Sequence, residues 1–259
     1  MVERAEPRAS GRSSSAGFLW RQRGDLWILD PDPSSRMGGT VEFIGGSGLA
    51  SNPQLSYRRL LEALAARGWR IHAWSYLPAL DHQEQANAAW RAFRMARNDT
   101  GHGSGNRERV MRLGHSLGCK LQLLAPDGGR ACSGVVSMSF NNFSAERSIP
   151  LLAEMGQQFR FRSEFSPSPE ETLRQVASSY QQPRNLLVRF RRDNLDQSSR
   201  LLGVLQARDG DDSRLVERPG DHLMPASAGL RRQFLGDWAD DPSRQRQFED
   251  LADTFAGWI

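Results

Sequence analysis

Short apolar runs alternate along the chain with longer segments that carry apolar residues at helical spacing. Runs of strand length lie at 40–44, 69–77, 110–113, 134–140, 185–190 and 213–217. Helical periodicity lies between and after them, at 57–67, 81–97, 168–180, 199–206 and 244–258. Residues 18–20 and 26–29 flank a turn and predict an edge hairpin. The alternation predicts an α/β fold with a mostly parallel central sheet flanked by helices.

One helix start is marked by several independent signals. Ser168 is an N-cap residue, Pro169 follows at the first helical position, and Glu171 completes a capping box. By contrast, residues 1–17 are rich in Ser, Arg, Ala and Gly and have no apolar periodicity. We therefore predict a disordered arm over 1–17 and one folded domain over 18–259.

Composition narrows the class of protein. The 259 residues suit one domain, and 38% hydrophobic with 25% charged residues is typical of a soluble globular protein. No run is long enough to span a bilayer, and no secretory signal is evident. Cys119 and Cys132 are the only cysteines, which suits a reducing, cytoplasmic compartment, and no metal-ligand spacing occurs.

The net charge of +4 does not indicate a nucleic-acid partner. All but one of the basic residues are arginines, Lys120 being the exception, and they are interleaved with acids. Since no DNA- or RNA-binding motif accompanies them, we predict no nucleic-acid function.

A G-x-S-x-G pentapeptide occupies residues 114–118, between a predicted strand and a predicted helix. In such an elbow, Ser116 takes a strained conformation that projects its hydroxyl above the sheet edge. The flanking residues must be small, and Gly114 and Gly118 meet that demand. The backbone N–H of Leu117 is expected to receive a developing oxyanion.

Further along the chain, acidic residues follow the strand at 185–190, and P-G-D-H-L follows the last strand. The order serine, acid, histidine is that of the α/β-hydrolase superfamily, which the sequence resembles from about Trp27 to the C-terminus. The resemblance implies an α/β-hydrolase fold with a small helical cap insertion at about 141–182. It also implies a catalytic triad of Ser116, His222 and Asp193, with Asp196 as the alternative acid.

The same resemblance implies a second oxyanion donor in the glycine-bearing loop after the strand at 40–44. Gly46 and Ser47 are the expected donors, although the loop by itself is also compatible with an ordinary tight turn. The usual His-Gly after this strand is replaced here by Ile44, Gly45 and Gly46.

The predicted cap is rich in apolar residues, so it either lines an acyl pocket or packs between sheet and helices. The candidate pocket residues are Phe143, Leu151 and Met155, with His115 as a packing or pocket-wall residue. His82, on a polar helix, is expected at the surface.

A narrower resemblance is to an uncharacterised hydrolase-like family of cyanobacteria and plastids. It is carried by the segments FIGG, SYRRLLEAL, GHSLGCKLQLL, SEFSPSPEETL and PGDHL. Because that family has no established substrate, the resemblance implies the fold and a triad only.

We therefore predict a serine hydrolase that cleaves an ester or thioester of an apolar acyl group, without a cofactor. Its expected partner is a small-molecule acyl ester. Two alternatives stay open: a catalytically silent binding or assembly factor with this fold, and an acyltransferase that uses the same triad.

Overall fold

An eight-stranded sheet forms the centre of the computed structural model, which describes residues 18–99, 109–148, 164–226 and 242–259. The predicted arm at 1–17 lies outside the described residues, as do two candidate pocket residues, Leu151 and Met155.

The strands and helices lie close to the segments that the hydrophobic pattern predicts. The strands are β1 Trp20–Arg23, β2 Leu26–Leu29, β3 Gly39–Ile44, β4 Trp69–Trp74, β5 Val110–His115, β6 Gly134–Met138, β7 Asn185–Phe190 and β8 Arg214–Arg218. The helices are α1 Pro53–Ser56, α2 Arg58–Ala66, α3 His82–Asp99, α4 Leu117–Leu123, α5 Ala145–Ser148, α6 Pro169–Ser179, α7 Ser198–Gln206 and α8 Pro242–Trp258.

The strand order is β1-β2-β4-β3-β5-β6-β7-β8. Strand β2 pairs antiparallel with β1 and β4, and every later pairing is parallel. The prediction of a mostly parallel sheet flanked by helices is therefore confirmed. Every residue of β3 and β5 is buried. Most of their side chains are apolar, as expected of central parallel strands that are covered on both faces.

Helix α6 begins as the sequence predicts. The Ser168 side chain accepts a hydrogen bond from the Glu171 N–H, and the Glu171 carboxylate accepts one from the Ser168 N–H. Buried Leu173 and Val176 of this helix belong to the same apolar cluster as Leu187 of the sheet. This part of the predicted insertion therefore packs on the core of the domain.

A buried ionic cluster crosses two neighbouring strands and was not predicted. Arg112 of β5 lies opposite Glu42 of β3 in the parallel register, and its Nε donates to the Glu42 carboxylate at 3.2 Å. Both terminal guanidinium nitrogens donate to Asp127, each at 2.8 Å. Arg112 and Glu42 are no more than 1% exposed. Removing either one would therefore leave the other as a buried charge without its partner, which destabilises a folded protein.

Across the described ranges, no helix combines the length and apolarity that a membrane crossing requires.

Candidate active site

The elbow between β5 and α4 holds Ser116 in a conformation that side chains rarely adopt, with φ 54° and ψ −120°. The flanking glycines are required by close backbone contacts. A Cβ on Gly118 would lie 2.0 Å from the carbonyl oxygen of Ile44, and one on Gly114 would lie 2.7 Å from the Cα of Cys119. The helix can therefore approach β3 and β5 closely only with glycine at both positions.

Three predicted side chains meet at the carboxyl edge of the sheet. The Nε2 of His222 lies 3.1 Å from the Oγ of Ser116, and its Nδ1 lies 2.9 Å from the Oδ2 of Asp193. A neutral His222 protonated at Nδ1 donates to Asp193 and leaves Nε2 free to accept the hydroxyl proton of Ser116. This succession is the geometry that activates a serine nucleophile.

The carboxylate of Asp193 is fully enclosed. Burial raises its pKa, but hydrogen bonds from His222, Ser139 and the N–H of Leu195 outweigh burial and hold the pKa below its ordinary value. The loop that carries it is tied to the histidine loop, because the N–H of Arg192 donates to the carbonyl of Gly220 at 2.9 Å. Asp193 is therefore ionised at neutral pH and held toward the imidazole.

The alternative acid, Asp196, is engaged elsewhere. Its two carboxylate oxygens accept from the N–H and the hydroxyl of Ser198 at 3.0 and 2.7 Å, at the start of α7. Burial raises the pKa of Asp196 above its ordinary value. The structure thus brings Asp193, and not Asp196, into contact with the imidazole of His222.

Asn141 is a site residue that the sequence reasoning missed. Its side-chain Nδ2 donates to the Oγ of Ser116 at 2.8 Å. It follows the end of β6, next to the elbow strand, and the carboxyl ends of parallel strands meet at one edge. Its position just after a predicted parallel strand was the one feature of the sequence that could have indicated Asn141 as a site residue.

The three expected oxyanion donors, the N–H groups of Leu117, Gly46 and Ser47, differ in their hydrogen-bond partners. Leu117 is the first residue of α4, so its N–H has no acceptor within the helix. The N–H of Gly46 donates to the hydroxyl of Tyr57 at 2.9 Å, so this expected donor is already occupied. For the N–H of Ser47, no acceptor is found within the described ranges, and Ser47 and Leu117 both line a cavity that opens beside the elbow.

The ring of His115 belongs to a buried hydrogen-bonded chain. Its Nε2 donates to the backbone carbonyl of His222 at 2.8 Å, so its Nδ1 accepts the proton of the Tyr57 hydroxyl at 2.8 Å. Burial lowers the pKa of His115 to about 3, which keeps the imidazole neutral. Of the two expected roles, packing or pocket wall, the buried ring fits the first: it joins the Gly46 loop to the histidine loop through Tyr57. His115 is not among the described residues that line the cavity beside the elbow.

A cavity of about 230 Å³ opens beside the elbow. Its lining includes Ser47, Leu117 and Asn141; Leu117 follows Ser116 in the chain, and Asn141 donates to the Ser116 hydroxyl. The rest includes the predicted residue Phe143, and the other described lining residues are Pro78, Ala79, Leu80, His82, Lys120, Asn142, Ser148 and Phe165. The lining is mainly apolar, as expected of a site for an acyl chain.

Two residues of the cavity lining, His82 and Lys120, were not predicted as site residues. His82, expected at the surface, is 2% exposed and stacks on Phe165 with ring centroids 4.1 Å apart. Lys120 is 1% exposed, although lysine is rarely buried. Among the described residues, no cluster of three His, Cys, Asp or Glu side chains could hold a metal ion.

Solved structures with the same architecture are α/β-hydrolases. A monoacylglycerol lipase of Paleococcus ferrophilus is 15% identical, with a TM-score of 0.57 over 90% of this chain and 99% of that one. Esterase 2 of Thermogutta terrifontis is 16% identical, with a TM-score of 0.56 over 93% of each chain. Esterase B of Lactobacillus rhamnosis is 18% identical, with a TM-score of 0.59 over 93% of this chain and 87% of that one. At these identities the likeness shows the fold: this protein has the α/β-hydrolase fold.

The family is shown by a match over residues 19–240 to the family described as "Protein of unknown function (DUF1350)". The chain belongs to that family. No curated protein sequence matches it.

Proposed function

We propose that this protein is a serine hydrolase that cleaves an ester or thioester with an acyl group housed in the cavity beside the elbow. The observation that carries the proposal is the continuous succession of hydrogen bonds from Ser116 Oγ through His222 to Asp193. The strained backbone of Ser116 supports the same conclusion, because strain of this kind is retained where function requires it.

In the first half-reaction, the Ser116 oxygen attacks the acyl carbonyl carbon while the hydroxyl proton passes to Nε2 of His222. The negative charge on the carbonyl oxygen is stabilised by the N–H groups of Leu117 and Ser47. Asp193 stabilises the imidazolium that forms. Collapse of the tetrahedral intermediate expels the alcohol or thiol, which takes the proton from His222 and leaves an acyl-enzyme.

In the second half-reaction, water attacks the acyl carbon and gives a proton to His222. The second tetrahedral intermediate collapses with Ser116 Oγ as the leaving group, and the proton returns to it. The carboxylic acid is released and the enzyme is regenerated. No step requires a cofactor.

Labelling with a fluorophosphonate probe tests the proposal directly. The phosphonate phosphorus should become bonded to Ser116 Oγ with loss of fluoride, and peptide mass spectrometry should locate the adduct. The Ser116→Ala variant should not be labelled while its unfolding transition stays cooperative. His222→Ala should label at least about a hundredfold more slowly, since the base is missing. Ser148, another serine that lines the cavity, provides the matched control: Ser148→Ala should label like the wild type.

A folded wild-type protein that is not labelled would contradict the proposal and favour a binding or assembly factor. A second outcome would favour acyl transfer instead. In it the protein is labelled and forms an acyl-enzyme that water does not hydrolyse, but an added alcohol or amine accepts the acyl group from Ser116. The assignment to the cyanobacterial and plastid group, the small-molecule substrate and the cytoplasmic location stay predictions alongside this proposal.

A further inference from the structure

The cavity beside the elbow contains the only lysine of the protein. Lys120 is the fourth residue of α4 and lies about 4.5 Å along the helix axis from Leu117, the residue that follows Ser116. It is 1% exposed and lines the cavity together with Phe165, whose ring centroid lies 5.7 Å from the Lys120 Nζ. Its ammonium group is therefore buried within reach of an acyl chain attached to Ser116.

Within the described part of the chain, this ammonium group has no carboxylate within 4.0 Å. It donates one hydrogen bond to the backbone carbonyl of Pro167 at 2.9 Å, and the described residues supply no acceptor for its other two donor positions. The carboxylates of Glu164 and Glu171 act on this ammonium group from beyond 4.0 Å and partly offset the lowering of its pKa by burial, while Glu164 accepts from backbone N–H groups and Glu171 closes the capping box of α6. An ammonium buried without a paired carboxylate lacks the partner that buried charges normally have.

A second buried polar group lines the same wall. His82 is 2% exposed, and its Nδ1 is buried with no hydrogen-bond partner among the described residues. Burial, followed by the charge of Lys120, lowers the pKa of His82 to about 3, so the imidazole adds no charge of its own. Burial lowers the pKa of Lys120 to about 8, which leaves the lysine mainly protonated at neutral pH. The wall thus offers a single positive charge in an apolar cavity.

We propose that Lys120 is the anchor for a carboxylate at the far end of the substrate acyl chain, so that the enzyme prefers acyl groups with a terminal carboxylate. A single ammonium group matches the charge of one carboxylate, and an anion would supply the partner that Lys120 lacks. The apolar lining between the elbow and Lys120 would contact the methylene groups of such a chain. This inference rests on the proposed hydrolase function and specifies its substrate class.

Paired six-carbon substrates isolate the charge of the acyl terminus. Monoethyl adipate carries a terminal carboxylate, and the ethyl ester of adipic acid monoamide carries a neutral amide of the same size. Ethanol release at pH 7 gives kcat/KM for both. The wild type should prefer the carboxylate by about tenfold or more, because hydrogen bonds to charged groups are the stronger ones.

The variants are then compared by the ratio of kcat/KM for the carboxylate substrate to kcat/KM for the amide substrate. A loss of activity that affects both substrates equally leaves this ratio unchanged. In Lys120→Met the ratio should fall by about tenfold, while Lys120→Arg should keep most of it because the charge is retained. Arg91→Met removes the same charge from a half-exposed side chain on α3 and should leave the ratio unchanged. A wild-type ratio near one, or a preference that survives Lys120→Met, would overturn the inference.

Binding separates the failure of this inference from the failure of the proposed function. Calorimetry on Ser116→Ala should give a Kd for monoethyl adipate about tenfold lower than for its amide. If neither ester is cleaved but this difference is found, the anion site stands and the hydrolase proposal fails. If the neutral ester is cleaved and the two Kd values are equal, the hydrolase proposal stands and the Lys120 inference fails.

Discussion

The Tyr57 hydroxyl joins the loop after β3 to the residue before the nucleophile, and removing it is a sharp test of that connection. Tyr57 is fully buried, and its hydroxyl accepts from the N–H of Gly46 and donates to Nδ1 of His115. Tyr57→Phe deletes one oxygen atom and keeps the ring, which makes an edge contact with Phe43 at 4.7 Å. The substitution therefore removes two hydrogen bonds with little change in packing.

The expected loss of stability follows from the two groups left behind. Each buried polar group without a partner costs about 1–3 kcal/mol. With both Gly46 N–H and His115 Nδ1 unpartnered, the free energy of unfolding should fall by about 2–6 kcal/mol. Because the Gly46 loop leads into Ser47 and His115 holds the carbonyl of His222, the rate of fluorophosphonate labelling should fall as well.

Urea denaturation provides the assay, with a lower midpoint and an unchanged m-value expected. The control is Tyr180→Phe. Tyr180 is also buried, but its hydroxyl makes a single hydrogen bond, to Asn185, and it lies in the apolar cluster that includes residues of α6 and α7. It should lose about 1–2 kcal/mol and label at the wild-type rate. If Tyr57→Phe proves no less stable than Tyr180→Phe, or labels at the wild-type rate, the structural role of this hydrogen-bonded chain is refuted.

Three further substitutions test other parts of the structure. Arg112→Met leaves Asp127 without its guanidinium partner and Glu42 with Arg97, at 3.3 Å, as its remaining cation among the described residues. The free energy of unfolding, measured by urea denaturation, should fall by about 3 kcal/mol, and a loss under about 1 kcal/mol would contradict this. Asn141→Ala should slow fluorophosphonate labelling of Ser116 about fivefold without moving the urea midpoint, and an unchanged rate would exclude a role for this amide. Burial lowers the pKa of His72 from 6.5 to about 4. As pH falls below 6.5, His72 is therefore protonated in the unfolded chain before it is protonated in the folded protein, and the folded protein loses stability between pH 6.5 and 4. His72→Leu should therefore reduce the slope of unfolding free energy against pH in that window by about 1.4 kcal/mol per pH unit. If the variant keeps the slope of the wild type, His72 is not a buried neutral group.

Much of the architecture was predictable because local sequence and tertiary structure agree. The parallel strands inside the sheet are buried and mainly apolar, although the edge strand β8 is not, so they stand out in the hydrophobic pattern. Ser168 with Glu171 marks the start of α6 by chemistry within four residues. The elbow was predictable for the same reason, since its glycines and serine are contiguous. The strand at 69–77 was predicted too long: the structure ends β4 at Trp74, because the chain then leaves the sheet towards the cavity wall at Pro78.

The candidate site was only partly predictable. Ser116, Asp193 and His222 were singled out by their order along the chain, and their closeness follows from the meeting of parallel strand ends at one edge. Asn141 occupies the same edge but belongs to no motif. Without the Tyr57 hydroxyl in view, His115 could not be distinguished from a pocket-wall residue.

The amino-acid sequence by itself determined the order of strands and helices, the elbow and the candidate nucleophile, because these depend on residues close together in the chain. Only the tertiary structure decided that His82 and Lys120 are buried in one cavity, that Asp193 and not Asp196 contacts His222, and that the Gly46 N–H is occupied. These features depend on contacts between residues far apart in sequence. Burial and hydrogen bonding at such contacts set the charge and availability of each group, and no local pattern encodes them.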